Sequence, residues 1–142
     1  MPPRTADRGS LRRMSDFIVY IDTSVVTAGK LDELKVAVAE LAEFIEATEP
    51  RIIAYSVFFT ADGTLMNVLH IHPDSASLRF HLTVAGPRFL AFAEFLTLAS
   101  IEIFGTPDDD ILAELHQEAR TLGGETVIVR ELHAGFARFA TR

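Results

Sequence analysis

The central stretch of this chain reads Asn67-Val68-Leu69-His70-Ile71-His72-Pro73-Asp74-Ser75-Ala76-Ser77-Leu78-Arg79-Phe80-His81-Leu82. It holds three of the five histidines of the chain. An apolar strand ends at Pro73, and Asp74 is a good N-cap for the helix that follows, because its carboxylate accepts from free backbone N–H groups. His81 then falls where helical spacing calls for an apolar side chain. A titratable group in an apolar setting marks a candidate active or ligand site.

The segments on either side of this stretch predict the order β-α-β-β-α-β, followed by one more helix and strand. Periodicity and turn residues predict strands at residues 17–26, 51–60, 64–72, 101–104 and 125–133. They predict helices at residues 31–48, 74–85, 87–98 and 107–121. This order is the split βαβ pattern, so the fold class is α+β, ferredoxin-like, with an antiparallel sheet.

Composition favours one acidic domain. The chain has 142 residues, a net charge of −7 and no cysteine. Residues 1–15 are predicted to be a flexible leader, since the segment is basic and offers little to bury, and Met14 is a candidate start residue. Residues 16–142 are predicted to form a single domain. An acidic body argues against nucleic-acid binding, no apolar run is long enough for a membrane, and the lack of cysteine fits a cytoplasmic protein.

The predicted hairpin is apolar on both faces. Tyr55, Val57 and Phe59 alternate with Ala54, Ser56 and Phe58, and the third strand does the same. Helices cover only one face of a ferredoxin-like sheet, and an antiparallel sheet that faces water alternates with polar residues. We therefore predict a homodimer in which a second subunit covers the other face.

Two segments resemble the antibiotic-biosynthesis-monooxygenase-like proteins: His72-Pro73-Asp74 and Ala76-Ser77-Leu78-Arg79-Phe80-His81-Leu82. Tyr55 is similar to a tyrosine that these proteins often carry in the preceding strand. The resemblance covers roughly residues 17–104. It implies a dimeric α/β barrel with a pocket between sheet and helices in each subunit. Some relatives oxidise polycyclic aromatics without metal or flavin, others degrade heme, and many have no known activity.

The chain departs from that pattern in two places. It has no tryptophan, and Asn67 is its only asparagine. Heme-degrading relatives rely on an Asn, a Trp and a His, so the resemblance does not extend to heme degradation. His70 stands at a strand position that is usually acidic in this motif.

His81 is the predicted catalytic residue. Burial would keep it neutral, which a general base requires. The alternative is a core histidine satisfied by one hydrogen bond. The predicted substrate-binding residues are Tyr55, His70, His72, Phe80, Phe89 and Phe92. The spacing of the phenylalanines favours core packing over a ligand-stacking wall.

His70 and His72 lie two residues apart on a strand and so point to one face, an arrangement that also binds metals. It needs a third ligand, and Glu131 and His133 qualify only if the last strand adjoins. Without that ligand we predict no metal and no cofactor. The acidic run Asp108-Asp109-Asp110 resembles a metal cluster, but acids in the first turn of a helix are explained by the helix dipole.

The leading functional prediction is a protein that binds a small aromatic or apolar molecule, with cofactor-independent oxidation of that molecule as its activity. A non-enzymatic ligand-binding or homodimeric assembly module is the alternative. A histidine-based metal site is the third reading.

Overall fold

The structure is a computed structural model that describes residues 17–139. The predictions for residues 1–15, including Met14, lie outside this range. The strands are β1 (Ile18–Val26), β2 (Ala54–Phe59), β3 (Leu65–His72), β4 (Leu96–Phe104) and β5 (Thr126–Arg130). The helices are α1 (Leu31–Thr48), α2 (Ser75–Val84), α3 (Gly86–Leu90) and α4 (Asp109–Thr121), with a 3₁₀ turn at Ala91–Glu94.

The five strands form one sheet in the order β2-β3-β1-β4-β5. The first four pair antiparallel in the ferredoxin-like arrangement, which confirms the predicted fold class. β5 pairs parallel to β4, so the complete sheet is mixed rather than antiparallel. The parallel pairing follows from α4, which crosses back over the sheet before β5 begins.

Two helices form as their sequences predict. α1 buries Leu34, Val38, Leu41 and Ile45, which recur at helical spacing. α2 begins after Asp74, whose side chain accepts from the backbone N–H of Ser77 at 2.9 Å. This cap directs the chain from the end of β3 straight onto the helical layer.

The segment before β4 differs from its prediction. A helix was expected over residues 87–98 and a short strand from residue 101, yet the helical part ends at Glu94 and β4 already begins at Leu96. The reason is pairing with β1, in which Leu96 stands opposite Val26. Tertiary pairing of this kind overrides the weak helical preference of a single segment.

The sheet has one covered and one open face. Ile18, Tyr20, Asp22 and Ser24 of β1 are all buried on the covered face, beneath the helices. The open face carries apolar side chains that stay partly exposed, among them Val19, Ile21, Leu69, Ile71 and Phe58. No helix among residues 17–139 is long and apolar enough to cross a membrane.

Candidate acid–base site

His81 and Glu49 form a buried pair beneath the helices. Nδ1 of His81 lies 3.0 and 2.9 Å from the two carboxylate oxygens of Glu49. Glu49 follows the last residue of α1 and is 4 % exposed, while His81 on α2 is 8 % exposed. Because Nδ1 donates to the carboxylate, Nε2 is the nitrogen left to accept a proton.

His70 and His72 extend this pair along β3. Nδ1 of His70 lies 2.7 Å from Nε2 of His72, and Nδ1 of His72 lies 2.8 Å from the hydroxyl of Ser77. The rings of His70 and His81 are 4.6 Å apart. The prediction that His70 and His72 share a face is therefore confirmed, and the face is the one that His81 packs on.

Two tyrosines border the histidines because of strand register. Tyr20 on β1 stands opposite His70, which stands opposite Tyr55 on β2. The ring of Tyr20 is 4.0 Å from that of His70, and the ring of Tyr55 is 5.9 Å from that of His81. The register thus places a phenol on either side of the imidazoles.

Burial sets the protonation of this group. It lowers the pKa of His70 well below its usual value and that of His72 to about 3, so both rings are neutral. It also raises the pKa of Tyr55, whose hydroxyl therefore stays protonated as a hydrogen-bond donor. Neutral imidazoles and a protonated phenol are suited to moving and holding protons.

Two acids, Asp22 on β1 and Glu118 on α4, lie near Tyr20. Burial, followed by the nearby charge of Glu118, raises the pKa of Asp22 well above its usual value. Burial also raises the pKa of Glu118, which accepts a hydrogen bond from the Tyr20 hydroxyl at 3.2 Å. Among the described residues, Oδ1 of Asp22 and Oγ of Ser24 have no hydrogen-bond partner.

Sequence reasoning missed Glu49, Ser77, Asp22 and Glu118. Two of them carried a usable signal. Asp22 is an acid in the inward alternation of an otherwise apolar strand. Glu118 lies on the face of α4 that buries Ile111, Leu115 and Ala119. Glu49 carried no such signal, since it reads as one more acid at the end of an acidic helix.

The buried face of α2 differs from the one that the spacing of apolar residues around His81 indicates. The buried residues of α2 are Ser77, Leu78 and His81, whereas Ala76 and Phe80 face outward. Ser77 takes the inward place because its hydroxyl reaches His72. A short helix with mixed polarity leaves the direction of its apolar face uncertain from spacing alone.

The predicted phenylalanines lie apart from one another. Phe80 is 47 % exposed and lines a surface cleft with Glu49 and Ser77. Phe89 and Phe92 are core residues whose rings lie 5.5 Å apart. Within residues 17–139, ring contacts join these two to each other and to Phe95 rather than to a histidine.

The acids considered as metal ligands are elsewhere. Glu131 and His133 follow β5, which is separated from β3 by β1 and β4, so they do not adjoin His70 and His72. In the acidic run at the start of α4, Asp108 and Asp110 both accept hydrogen bonds from Arg79 of α2. This guanidinium, together with the helix dipole, explains those acids.

A cleft of about 400 Å³ lies between the end of α1 and β2, and Glu49 and Tyr55 line it. Its volume is within the range of small-molecule pockets. A second cleft of about 230 Å³, which Glu49, Ser77 and Phe80 line, approaches the site from α2. Glu49 lines both clefts and His81 lines neither, so the clefts approach the His81–Glu49 pair from the side of Glu49.

Several solved structures have a similar fold. MupZ from Pseudomonas fluorescens superposes with a TM-score of 0.66 at 18 % identity, covering 87 % of this chain and 95 % of that one. A protein named "putative antibiotic biosynthesis monooxygenase", from Caulobacter crescentus CB15, superposes with a TM-score of 0.58 at 17 % identity, over 71 % and 99 % of the two chains. The chain has the fold of the antibiotic biosynthesis monooxygenases. The resemblance read from residues 17–104 is thereby confirmed at the level of fold.

SnoaB from Streptomyces nogalater is a further neighbour and is described as a cofactor-independent oxygenase. It superposes with a TM-score of 0.55 at 19 % identity, over 66 % of this chain and 95 % of that one. Neither family models nor curated protein sequences give a match.

Proposed function

We propose that this protein binds a small aromatic or apolar molecule and oxidises it with O₂ without a metal or flavin, with His81 as the general base. The observation that supports the proposal is the buried His81–Glu49 pair, in which the carboxylate orients the ring and leaves Nε2 free. A general base needs an orienting partner and a nitrogen that can accept a proton, and this pair supplies both. The fold shared with a cofactor-independent oxygenase supports the same reading.

The chemistry limits the substrate. Without a cofactor, the electrons for O₂ come from the substrate itself, so it must form a stabilised anion. An activated methylene between aromatic rings meets this condition. His81 takes one proton, the carbanion transfers electrons to O₂ and forms a C–O bond, and reprotonation gives a hydroperoxide. Loss of water then leaves a ketone, so one methylene and one O₂ become one carbonyl and one water.

The neighbouring groups have defined roles in this scheme. Tyr55 is a protonated donor beside His81, and it is suited to hold the substrate oxygen on which negative charge develops. His70 is neutral, and its ring lies 4.6 Å from that of His81 and 5.6 Å from that of Tyr55. It assists in orienting the substrate.

The same proposal includes assembly and location. A second copy of the chain covers the apolar open face of the sheet, which gives a homodimer with one pocket per subunit. A chain without cysteine suits the reducing cytoplasm, which we propose as its location.

Oxygen uptake with dithranol, a tricyclic compound that has an activated methylene, tests the activity. We expect the wild-type protein to accelerate uptake above the rate in buffer, and His81→Phe to lower the acceleration about 10²–10⁴-fold, the usual contribution of a general base. His116→Phe is the matched control, because His116 is an exposed histidine on α4. Equal rates for wild type and His81→Phe would refute the role of His81.

The contribution of the pair to stability is measured by changing one partner and then both. His81→Phe alone strands the buried carboxylate of Glu49 and is expected to lower the free energy of unfolding by about 3–5 kcal/mol. The double variant His81→Phe/Glu49→Leu removes both polar groups and should recover most of that loss. Urea unfolding of the wild type, the single variants His81→Phe and Glu49→Leu, and the double variant gives the coupling energy of the pair.

The double variant also addresses the alternative of a non-enzymatic module. If it regains stability and still accelerates oxygen uptake from dithranol, the pair is not the base and the proposed mechanism is wrong. Regained stability without acceleration is the expected result, since the fold is then intact and only the proton acceptor is missing.

A further inference from the structure

We propose that His70, His72 and His81 together bind a divalent transition-metal ion such as Zn²⁺ or Co²⁺. Each of these buried histidines offers a ring nitrogen, and the three nitrogens lie within 4.8 Å of one another. The inference goes beyond the proposed function and concerns a metal-bound state, distinct from the metal-free state in which His81 acts as a base. A bound ion would occupy Nε2 of His81 and so compete with its action as a base.

The geometry is close to that of a metal centre. Zn–N bonds of about 2.0–2.1 Å in a tetrahedral site set the ligand nitrogens roughly 3.3 Å apart. Nδ1 of His70 and Nε2 of His72 are 2.7 Å apart, so an ion that replaced their shared proton would spread them slightly. His81 lies on the facing helix and would supply the third ligand by a small movement of its ring.

The outer contacts leave suitable nitrogens for the ion. His72 uses Nδ1 for the hydroxyl of Ser77, and His81 uses Nδ1 for the carboxylate of Glu49, so Nε2 of each ring is the nitrogen left for the ion. A carboxylate behind a ligand histidine orients the ring and strengthens it as a ligand. Glu49 also places a negative charge next to the site.

The ligand set selects the class of ion. Three imidazoles suit Zn²⁺, Co²⁺, Ni²⁺, Cu²⁺ or Fe²⁺, whereas Mg²⁺ and Ca²⁺ prefer oxygen ligands. Three protein ligands leave a fourth position for water or another small ligand, as in open zinc sites. The sequence alone pointed to Glu131 and His133 as the missing ligand, and the fold supplies His81 instead.

Titration of the metal-free, full-length protein with Co²⁺ tests the site. We expect one equivalent to bind and to give the intense visible bands of four-coordinate Co²⁺, and Zn²⁺ to displace it while Mg²⁺ does not. Glu49→Gln removes the outer charge and should weaken binding about 10–100-fold. His72→Phe should abolish the bands, and the control His116→Gln should leave them unchanged.

A second measurement keeps the test valid if a variant unfolds. X-ray absorption of the zinc-loaded wild-type protein should show three imidazole ligands at about 2.0–2.1 Å. Oxygen-only ligation, absence of stoichiometric binding to the wild type, or loss of binding in His116→Gln would each overturn the proposal. Because no turnover is measured, a failure here is separate from a failure of the proposed oxidation.

Discussion

Asp22 is a buried acid on the covered face of the sheet. It is 4 % exposed, one of its oxygens has no partner among the described residues, and burial raises its pKa. A carboxyl group with these properties is protonated in the folded protein and ionised in the unfolded chain over the intervening pH range. Asp22 therefore costs the protein stability as pH rises above the usual value of 3.8.

Asp22→Asn is predicted to stabilise the protein at neutral pH. The gain over wild type should be small below pH 3.8 and should widen by up to about 1.4 kcal/mol per pH unit until the raised folded-state pKa is reached. Urea unfolding of both proteins at a series of pH values measures this gap. Asp32→Asn, at an exposed position in the first turn of α1, is the control. A gap that did not change with pH would contradict the assignment of Asp22 as protonated.

The buried histidines change the stability of the protein with pH in the opposite direction to Asp22. The pKa of His72 falls from 6.5 to about 3 on folding, so its contribution to stability is present above pH 6.5 and is lost as pH falls toward 3. Over the same range Asp22 and Glu118 oppose this loss, because their pKa values are raised. The pH profile of wild type alone therefore reflects a partial cancellation, and differences between variants are the informative quantity.

At the level of elements, one close contact fixes α4 against the sheet. Gly124, between α4 and β5, donates its N–H to the carbonyl of Ala119 at 2.8 Å. A Cβ at this position would lie 2.4 Å from the carbonyl oxygen of Leu98 in β4. This close contact between Gly124 and β4 holds α4, and with it Glu118, over Tyr20.

Gly124→Ala is predicted to lower the free energy of unfolding by about 1–3 kcal/mol, because backbone must move to admit the methyl group. Gly86→Ala is the matched control. A Cβ there meets nothing within 4 Å and the residue is helical, so the change should be neutral or stabilising. Thermal or urea unfolding compares the two, and equal effects would show that the contact at Gly124 is not tight.

At the scale of the whole molecule, the open face of the sheet is an exposed apolar surface that a partner could cover. Ile21 of β1 and Leu69 of β3 are cross-strand neighbours at its centre, and Phe58 on β2 is 55 % exposed. Contiguous apolar surface of this kind marks an interaction site. A second copy of the same face would cover it by the symmetric pairing typical of homodimers.

Leu69→Glu is predicted to keep the protein monomeric, because it places a charge at the centre of the open face that the proposed dimer would bury. Light scattering at micromolar concentration should show a dimer for wild type and a monomer for the variant. Val36→Glu, on the outer side of α1 where the side chain is 60 % exposed, should remain dimeric. A wild-type protein that is monomeric under these conditions would refute the assembly.

The sequence by itself determined the order of elements, the cap at Asp74 and the burial of His81, because each depends on local periodicity or local hydrogen bonding. Only the tertiary structure decided what surrounds His81. Glu49 is 32 positions away along the chain, and strand register rather than spacing brings Tyr20 and Tyr55 to His70. The parallel pairing of β5 and the early start of β4 were likewise decided by neighbouring strands. Hydrogen bonds between distant residues leave no periodic trace in a single sequence, so a site built from them becomes visible only in the folded chain.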